Sequence, residues 1–437
     1  MTTVPDSLPT APTTPRVFVA HVQTGGARRD ALRGEITAPA SGSAHAGWGL
    51  RVSGVLHPAA GEVARIEAVT PGQILASAAT GPKGTEGQPF TLLVNTLDLP
   101  LDFEFRLRGV LADGGRVKFA TVRGRREPLR GREPVTLQPL IVTSLGRMGT
   151  TLLMKLLAAH PGVVTYDRPP FEARGAKYWV HLLGVLSAPT DPVKQIGAPM
   201  EFHANPIAVG GNPFYSSEFQ AWPAVEDWMG GEYITDLATF CQQSIDGWYL
   251  ATAEAQDKPT APLRYFAEKH FPDAYPRRLR ELYPAAQELF LVRDFRDMVA
   301  SMHAYNARKG YGDFGRAAAA DDGAWLQTLR QGVQRLHAAW QERGTPAHLV
   351  RYEDLVQRPE TALPPLLALL GLANDPQTVA ALLAAAAPDA PDLQGHGTAA
   401  SPAASIGRWR EDLPPEAQAQ VAAEFGELLR AFGYEEA

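Results

Sequence analysis

The sequence predicts two domains of different class: an all-β sandwich, then an α/β domain whose parallel sheet is flanked by helices. Three observations carry that prediction. From residue 17 to 126, short β-forming runs are separated by Gly, Pro and Asp turns. From residue 137 to 437, apolar runs alternate with helical stretches, the pattern of strand–helix–strand units. Between them, at 127–136, the stretch Glu127–Val135 holds two prolines and four charged residues and reads as a linker. Residues 1–16, rich in Thr and Pro, read as a disordered tail.

In the first domain the expected strands are Arg16–His21, Gly47–Leu56, Ala64–Thr70, Phe90–Asn95, Phe103–Leu111 and Arg116–Val122. The turn Ala112-Asp113-Gly114-Gly115 makes the last two a hairpin, and Phe103, Phe105 and Leu107 alternate as a half-buried strand requires. In the second domain the expected strands are Leu137–Thr143, Arg264–Ala267, Glu288–Val292 and His348–Arg351. Expected helices are Thr150–Ala159, Pro276–Leu282, Phe295–Arg308, Trp325–Glu342, Glu360–Leu370 and Glu416–Ala431, with the Ala-rich run Ala380–Ala387 also helical. A Gly/Pro-rich insertion at Ser187–Pro213 and an aromatic-rich segment at Phe214–Tyr249 suit a lid or acceptor pocket. The aromatics Trp222, Trp228, Tyr233, Trp248 and Tyr249 recur at near-helical spacing and are read as core ahead of ligand platforms.

The chain has 437 residues, 45% hydrophobic and 20% charged, with a net charge of −6, so a general affinity for nucleic acid is not expected and an anion site must be local. No apolar run is long enough to span a membrane, and Met1–Arg16 lacks the pattern of a signal peptide, so a cytoplasmic protein is expected. The single cysteine, Cys241, reads as a small buried hydrophobe.

The chemistry starts at Leu140–Ser144, an apolar strand that runs into Leu145-Gly146-Arg147-Met148-Gly149-Thr150-Thr151 and then a helix. Main-chain N–H groups of such a loop converge at the positive end of the helix dipole, where a phosphate or sulfate is stabilised. Gly146 and Gly149 permit close approach, Arg147 adds a charge, and Thr150 and Thr151 add hydroxyls. A plain strand-to-helix turn with capping threonines is the competing reading. The residue after Gly149 is Thr where a Mg-dependent NTPase loop has Lys. A second strand-to-helix element, Glu288–Arg296, places Arg293 at a strand's carboxyl end with Ser301 eight residues on, a pair able to hold a phosphate from two sides. Its competing reading is an Arg293 paired to Asp294 or Asp297.

Leu140–Val163 resembles the 5′-phosphosulfate-binding loop of the sulfotransferase family, in the form of the tyrosylprotein and glycan sulfotransferases, where the helix ends in His-Pro as at His160-Pro161. Gly146 stands where the family has Pro, and Met148 where it has Ser. Arg293 and Ser301 match the family's 3′-phosphate element. Val350–Val356 resembles the strand whose Tyr, here Tyr352, lies near the adenine, and Ser405–Arg410 resembles the late basic loop, with Arg408 before Trp409. The Gly-Trp-Gly run Gly47–Gly49 resembles β-sandwich modules that precede transferase domains in bacterial proteins.

The resemblance implies a P-loop-like sulfotransferase fold and transfer from 3′-phosphoadenosine 5′-phosphosulfate to a hydroxyl of a glycan, lipid or small-molecule acceptor, without a metal. The implied donor contacts are Gly146, Arg147, Met148, Gly149, Thr150, Thr151, Arg293, Ser301, Tyr352, Arg408 and Trp409. For the base, the family's Glu-x-Arg points to Glu172, with Arg174 beside the acceptor; Asp167 and His303 are the rivals, and Lys269 resembles a Glu-Lys found near the site. Two other functions stay open. One is a nucleotide-dependent kinase or NTPase, and the other is a non-catalytic glycan-binding protein with a decayed transferase domain.

Overall fold

The computed structural model describes residues 14–25, 31–71, 73–187, 223–259, 261–344, 347–387 and 397–434. Strands β1 to β9 come first: Val17–Thr24, Leu32–Ala38, Ser43–His45, Gly49–Pro58, Val63–Thr70, Gln73–Ala79, Gln88–Asn95, Asp102–Leu111 and Arg116–Arg126. Next are β10 (Gln138–Thr143), α1 (Thr150–Ala159), β11 (Val163–Val164), α2 (Gly175–Ser187), α3 (Pro223–Gly230), α4 (Glu232–Ala255), β12 (Tyr265–His270), α5 (Ala274–Leu282) and β13 (Gln287–Val292). The chain continues with α6 (Phe295–Lys309), α7 (Asp322–Arg343), β14 (Ala347–Arg351), α8 (Tyr352–Gln357), α9 (Pro359–Leu369), α10 (Pro376–Ala385), α11 (Trp409–Asp412) and α12 (Pro415–Ala431). These residues form two compact units, Met1–Glu133 with His181–Cys241, and Pro134–Val180 with Gln242–Ala437. Of the described residues, 181–187 and 223–241 group with the β-rich part.

In the first unit, a six-stranded antiparallel sheet of order β3-β1-β9-β8-β5-β6 packs on a three-stranded one of order β2-β4-β7. Alternation drives the packing: every second residue of β4 is buried, from Leu50 to Leu56, as are Phe103, Phe105 and Leu107 of β8. Phe90 of β7 meets Phe119 of β9 edge to face across the layer, 5.9 Å between centroids. The expected hairpin is β8–β9. Sequence reading missed β2, β3 and β6, whose Gly, Ala, Ser and Gln residues have little β preference; they form because a neighbouring strand offers an edge.

The second unit holds a parallel sheet of order β11-β12-β10-β13-β14. Its central strands are buried on both faces, as their unbroken apolar runs require. Leu140, Val142, Leu289 and Leu291 face α1, α9 and α10, while Phe290 and Val292 face α6, α7 and α12 through Phe295, Met298, Trp325 and Phe425. Parallel register brings Thr143, His270 and Val292 to one end of the sheet, the carboxyl end where ligands bind in open α/β folds.

Each expected strand and helix of this unit is present. Tyr352, expected on a strand, is instead the first residue of α8, because β14 stops at Arg351. Residues 188–222, with most of the Gly/Pro-rich insertion and Trp222, and residues 1–13 of the tail lie outside the described residues. Among the described residues no helix is long and apolar enough to cross a membrane.

Candidate functional site

The loop after β10 is held from below. Ser144 donates its hydroxyl to the Leu291 carbonyl oxygen at 2.7 Å, and its N–H to His270 at 3.0 Å, fixing the strand end to both neighbours. Arg147 then adopts φ 63°, and Gly149 φ 88°. The first is a strained conformation for a residue with a side chain, and the second is the glycine region. A Cβ on Gly149 would stand 2.1 Å from the Tyr352 ring, so that ring lies directly on the loop backbone. Met148 points the other way, fully buried among the residues that pack on α6, so only its main chain is available to a ligand. Thr150 and Thr151 are half-buried in the first turn of α1, and neither hydroxyl makes a hydrogen bond among the described residues.

Arg147 donates through Nε to the Ser301 hydroxyl at 3.2 Å and stacks on Tyr305, 5.0 Å from the ring centroid. The expected phosphate pair thereby meets the expected loop. Burial pushes the Arg147 guanidinium down to about 10, and the nearby Arg293 acts in the same direction. Two guanidiniums, one buried and one half-buried, are thus packed side by side. Arg293 is 4% exposed, and its Nε is buried without a hydrogen-bond partner. It does not pair with the neighbouring aspartates: Asp294 caps α6 and accepts three hydrogen bonds from the Arg296 guanidinium, at 2.9, 3.2 and 2.7 Å, and Asp297 accepts from the main-chain N–H groups of Gly407 and Trp409, at 2.7 and 3.0 Å.

The later elements close on the same place. Arg293 lies over the Tyr352 ring, 4.9 Å from its centroid, and donates to the Ser405 carbonyl oxygen. The Tyr352 hydroxyl is 3.1 Å from the Ser405 hydroxyl. Arg408 donates to the Thr398 carbonyl and hydroxyl oxygens at 3.0 and 2.9 Å, and Thr398 is 3.1 Å from Ser301. Trp409 is 7% exposed and stacked between Arg296 and Arg410, each 4.4 Å from its ring. Its ring is core, so its share in the site is to anchor the loop.

A second cluster adjoins the first. Lys269, at the end of β12, donates to the Pro170 carbonyl oxygen at 2.6 Å and pairs with the exposed Glu172 at 3.4 Å. Burial lowers the Lys269 ammonium; Glu172 opposes that, while Arg174 and Arg147 add to it, which places all four charges in one field. Asp167 acts elsewhere, on Lys258. His303 packs its ring edge on Trp325, 4.9 Å away, and burial lowers it. Of the three proposed bases, only Glu172 touches the cationic cluster among the described residues.

Aromatic rings flank this cluster. Tyr166 stacks on Trp248 at 6.0 Å, and Trp248 meets Trp179 at 6.5 Å and crowds the start of α2, where a Gly175 Cβ would be 2.4 Å away. Tyr166 is 40% exposed. The core reading holds for Tyr249, which is fully buried, and for Cys241, whose thiol burial pushes up to about 12. Trp228, half exposed, departs from it.

Sequence reading missed Tyr305 and Thr398, which reach the site only through tertiary contact; Ser405 was read as the start of the late loop without a role of its own. It also missed Glu268, a buried carboxylate that accepts from the Ala176 N–H at 2.8 Å and from the Tyr249 hydroxyl, so tying α2 and α4 to β12. Lys258 spans the carbonyl oxygens of Ala158, His160 and Val163 at 2.5, 2.9 and 2.6 Å and fastens the far end of α1. The sequence signal for Glu268 was its place beside Lys269 on a buried strand.

The sequence model of the sulfotransferase family matches residues 139–376, more than half of the chain. No curated protein matches. Among solved structures, the sulfotransferase domain from the curacin biosynthetic pathway is similar at 17% identity over 70% of this chain and 100% of its own, with a TM-score of 0.40. Sulfotransferase STF9 from Mycobacterium avium is similar at 18% over 69% and 78%, TM-score 0.34. Mouse sulfotransferase SULT7A1, solved with PAP, is similar at 12% over 67% and 85%, TM-score 0.34. These three likenesses are too distant to bear on the site. The family match spans β10 to the start of α10 and so takes in the loop, Lys269, Arg293, Ser301 and Tyr352, and on that ground the chain belongs to the sulfotransferase family.

Proposed function

We propose that the protein transfers a sulfuryl group from 3′-phosphoadenosine 5′-phosphosulfate to a hydroxyl of a glycan, lipid or small-molecule acceptor. The observation that carries this reading is the buried Arg293, whose Nε has no hydrogen-bond partner among the described residues, packed with the half-buried Arg147 beside the main-chain loop of a helix N-terminus. Such a cradle suits an anion. Arg293 and Ser301 are assigned to the donor's 3′-phosphate. Gly146, Gly149, Thr150, Thr151 and the Met148 main chain are assigned to the 5′-phosphosulfate, Arg147 to the charge that grows on the leaving phosphate, and Tyr352 to the adenine. Arg408 and Trp409 hold the covering segment in place through Thr398 and Asp297.

On the acceptor side, Glu172 takes the hydroxyl proton as the new oxygen–sulfur bond forms and the bond to the leaving phosphate breaks. Lys269, 3.4 Å from Glu172, holds that carboxylate near the cluster. Arg174 is assigned to the acceptor, and the Tyr166–Trp248–Trp179 rings supply a flat apolar wall for its ring or chain. The scheme needs no metal. Nothing in it draws on the β unit.

Calorimetric titration tests the donor assignment without an acceptor. Adenosine 3′,5′-bisphosphate is expected to bind more tightly than adenosine 5′-phosphate or ATP with Mg. A preference for ATP with Mg would replace this reading with a kinase or NTPase, and binding of none of the three would favour a decayed, non-catalytic domain.

A further inference from the structure

The face of the six-stranded sheet turned away from the three-stranded one carries unmatched charge. Along β8 the alternation that buries Phe103, Phe105 and Leu107 turns Glu104, Arg106 and Arg108 outward. Register sets Arg123 of β9 opposite Glu104, and Arg108 between Lys118 of β9 and Glu67 of β5. Arg65 and Arg116 join the group through Glu67, at 3.0 and 3.9 Å. Six cations therefore share two carboxylates, while the flanking Arg125 and Asp102 stand opposite each other and cancel. This local surplus of positive charge stands on a chain whose net charge is −6.

The arginines are aimed as well as exposed. Glu67, 1% exposed, accepts from the Nε of Arg65 at 3.0 Å and of Arg108 at 2.6 Å, and Glu104 accepts from the Arg123 Nε at 2.7 Å. Arg106 and Arg116 also approach these carboxylates with Nε, at 3.8 and 3.9 Å. No Nη nitrogen of these five arginines makes a hydrogen bond among the described residues. The two carboxylates thus hold the guanidiniums by their inner edge. The Nη pairs, an edge that can grip a carboxylate or sulfate bidentately, are left over.

We propose that this face binds a linear anionic polysaccharide, one bearing carboxylate or sulfate groups. Cations about 5 Å apart across strands and about 7 Å apart along them present a repeating array to a polymer. The accessible carboxylate among them, Glu104, selects the kind of polyanion. It repels an unbroken row of phosphates, in nucleic acid or in lipid headgroups, but accepts from a sugar hydroxyl, and a charged glycan offers hydroxyls between its charges. Single-stranded nucleic acid also calls for rings that stack its bases, whereas Phe103, Phe105 and Phe119 of β8 and β9 are buried on the opposite side. The proposal gives the β unit a recognition role of its own and does not rest on the sulfotransfer reading.

The test is titration of the full-length protein at about 0.15 M salt with heparin and with polygalacturonate. Dextran serves as the neutral glycan, and single-stranded DNA and phosphatidylserine vesicles as the other polyanions. At least one anionic glycan is expected to bind, at least tenfold more tightly than dextran, DNA or vesicles. Arg106→Ser combined with Arg123→Ser removes two exposed guanidiniums whose shared partner is the exposed Glu104, so thermal melting is expected to show an intact fold. Glycan affinity of that variant is expected to fall at least tenfold. Adenosine 3′,5′-bisphosphate, offered to fill the cationic cluster of the α/β unit, is expected to displace no glycan. Failure of both anionic glycans to bind, equal binding of dextran, DNA or vesicles, displacement by the bisphosphate, or an affinity unaffected in the double variant would each overturn the proposal.

Discussion

Arg293 and Tyr352 converge on Ser405: the guanidinium donates to its carbonyl oxygen, the phenol meets its hydroxyl at 3.1 Å, and the two side chains stack with 4.9 Å from guanidinium carbon to ring centroid. A strand end, a helix start and a late loop are thus joined at one residue. The guanidinium Nε is buried with no hydrogen-bond partner among the described residues.

Arg293→Ala is therefore expected to weaken adenosine 3′,5′-bisphosphate by about 10- to 100-fold, the value of a charge-assisted hydrogen bond of roughly 1.5–3 kcal/mol. Adenosine 5′-phosphate, which has no 3′-phosphate, should lose far less. Equal losses in calorimetry would sink the assignment.

Gly149→Ala meets two obstacles, a φ of 88° and a ring 2.1 Å from the new Cβ. Donor binding is expected to fall at least tenfold. Adding Tyr352→Ala removes the clash but not the backbone strain of order 1–3 kcal/mol, so recovery should be partial. Full recovery in the double variant would mean that the ring contact alone matters.

Met148→Ser restores the residue usual at this loop position in the family, yet it is expected to harm the protein. Met148 is fully buried, and truncating a core Met costs about 2–5 kcal/mol. Denaturant unfolding should show that loss, while donor affinity of the folded fraction stays within a few-fold. A gain in affinity would show that the side chain faces the ligand.

Glu172→Gln should lower turnover at least 100-fold with donor affinity changed less than threefold, since a base contributes about 10²–10⁴ to rate. Asp167→Asn, whose charge acts on Lys258, should leave turnover within a few-fold. The reverse pattern would move the base to Asp167.

Lys258 gives a pH signature. Burial brings its ammonium down to about 8, from the 10.5 of a solvated lysine, so between those values the unfolded chain binds more protons than the folded one. Stability from this group must rise with pH across that window. Lys258→Met should flatten the slope in thermal melts taken from pH 7.5 to 10.5, and an unchanged slope would remove Lys258 as its source.

Strands and helices of the α/β unit could be read from the chain because apolar runs and 3.6-residue periodicity report burial directly, as at Leu289–Val292 and Phe295–Lys309. Arg147, Arg293 and Ser301 were readable because each follows a strand at a fixed offset. Tyr305 and Thr398 were not, since nothing local marks them; 154 residues separate Arg147 from Ser301, and 97 separate Ser301 from Thr398. The inward direction of Met148 was also hidden, because side-chain facing depends on the positive φ of Arg147 just before it.

Asp297 holds the main chain of Gly407 and Trp409 across 110 and 112 residues, and Arg293 reaches Ser405 across 112. During synthesis, β10 to β14 can pair while these residues are still to be made, since that sheet ends at Arg351. The sheet precedes its own site. A nascent chain stopped between Arg351 and residue 397 would carry two packed guanidiniums with no Ser405 carbonyl, no Thr398 and no tether on Asp297. The residues that tie Arg293, Ser301 and Asp297 to the late segment are therefore the last of the group to be made, after every strand of the sheet.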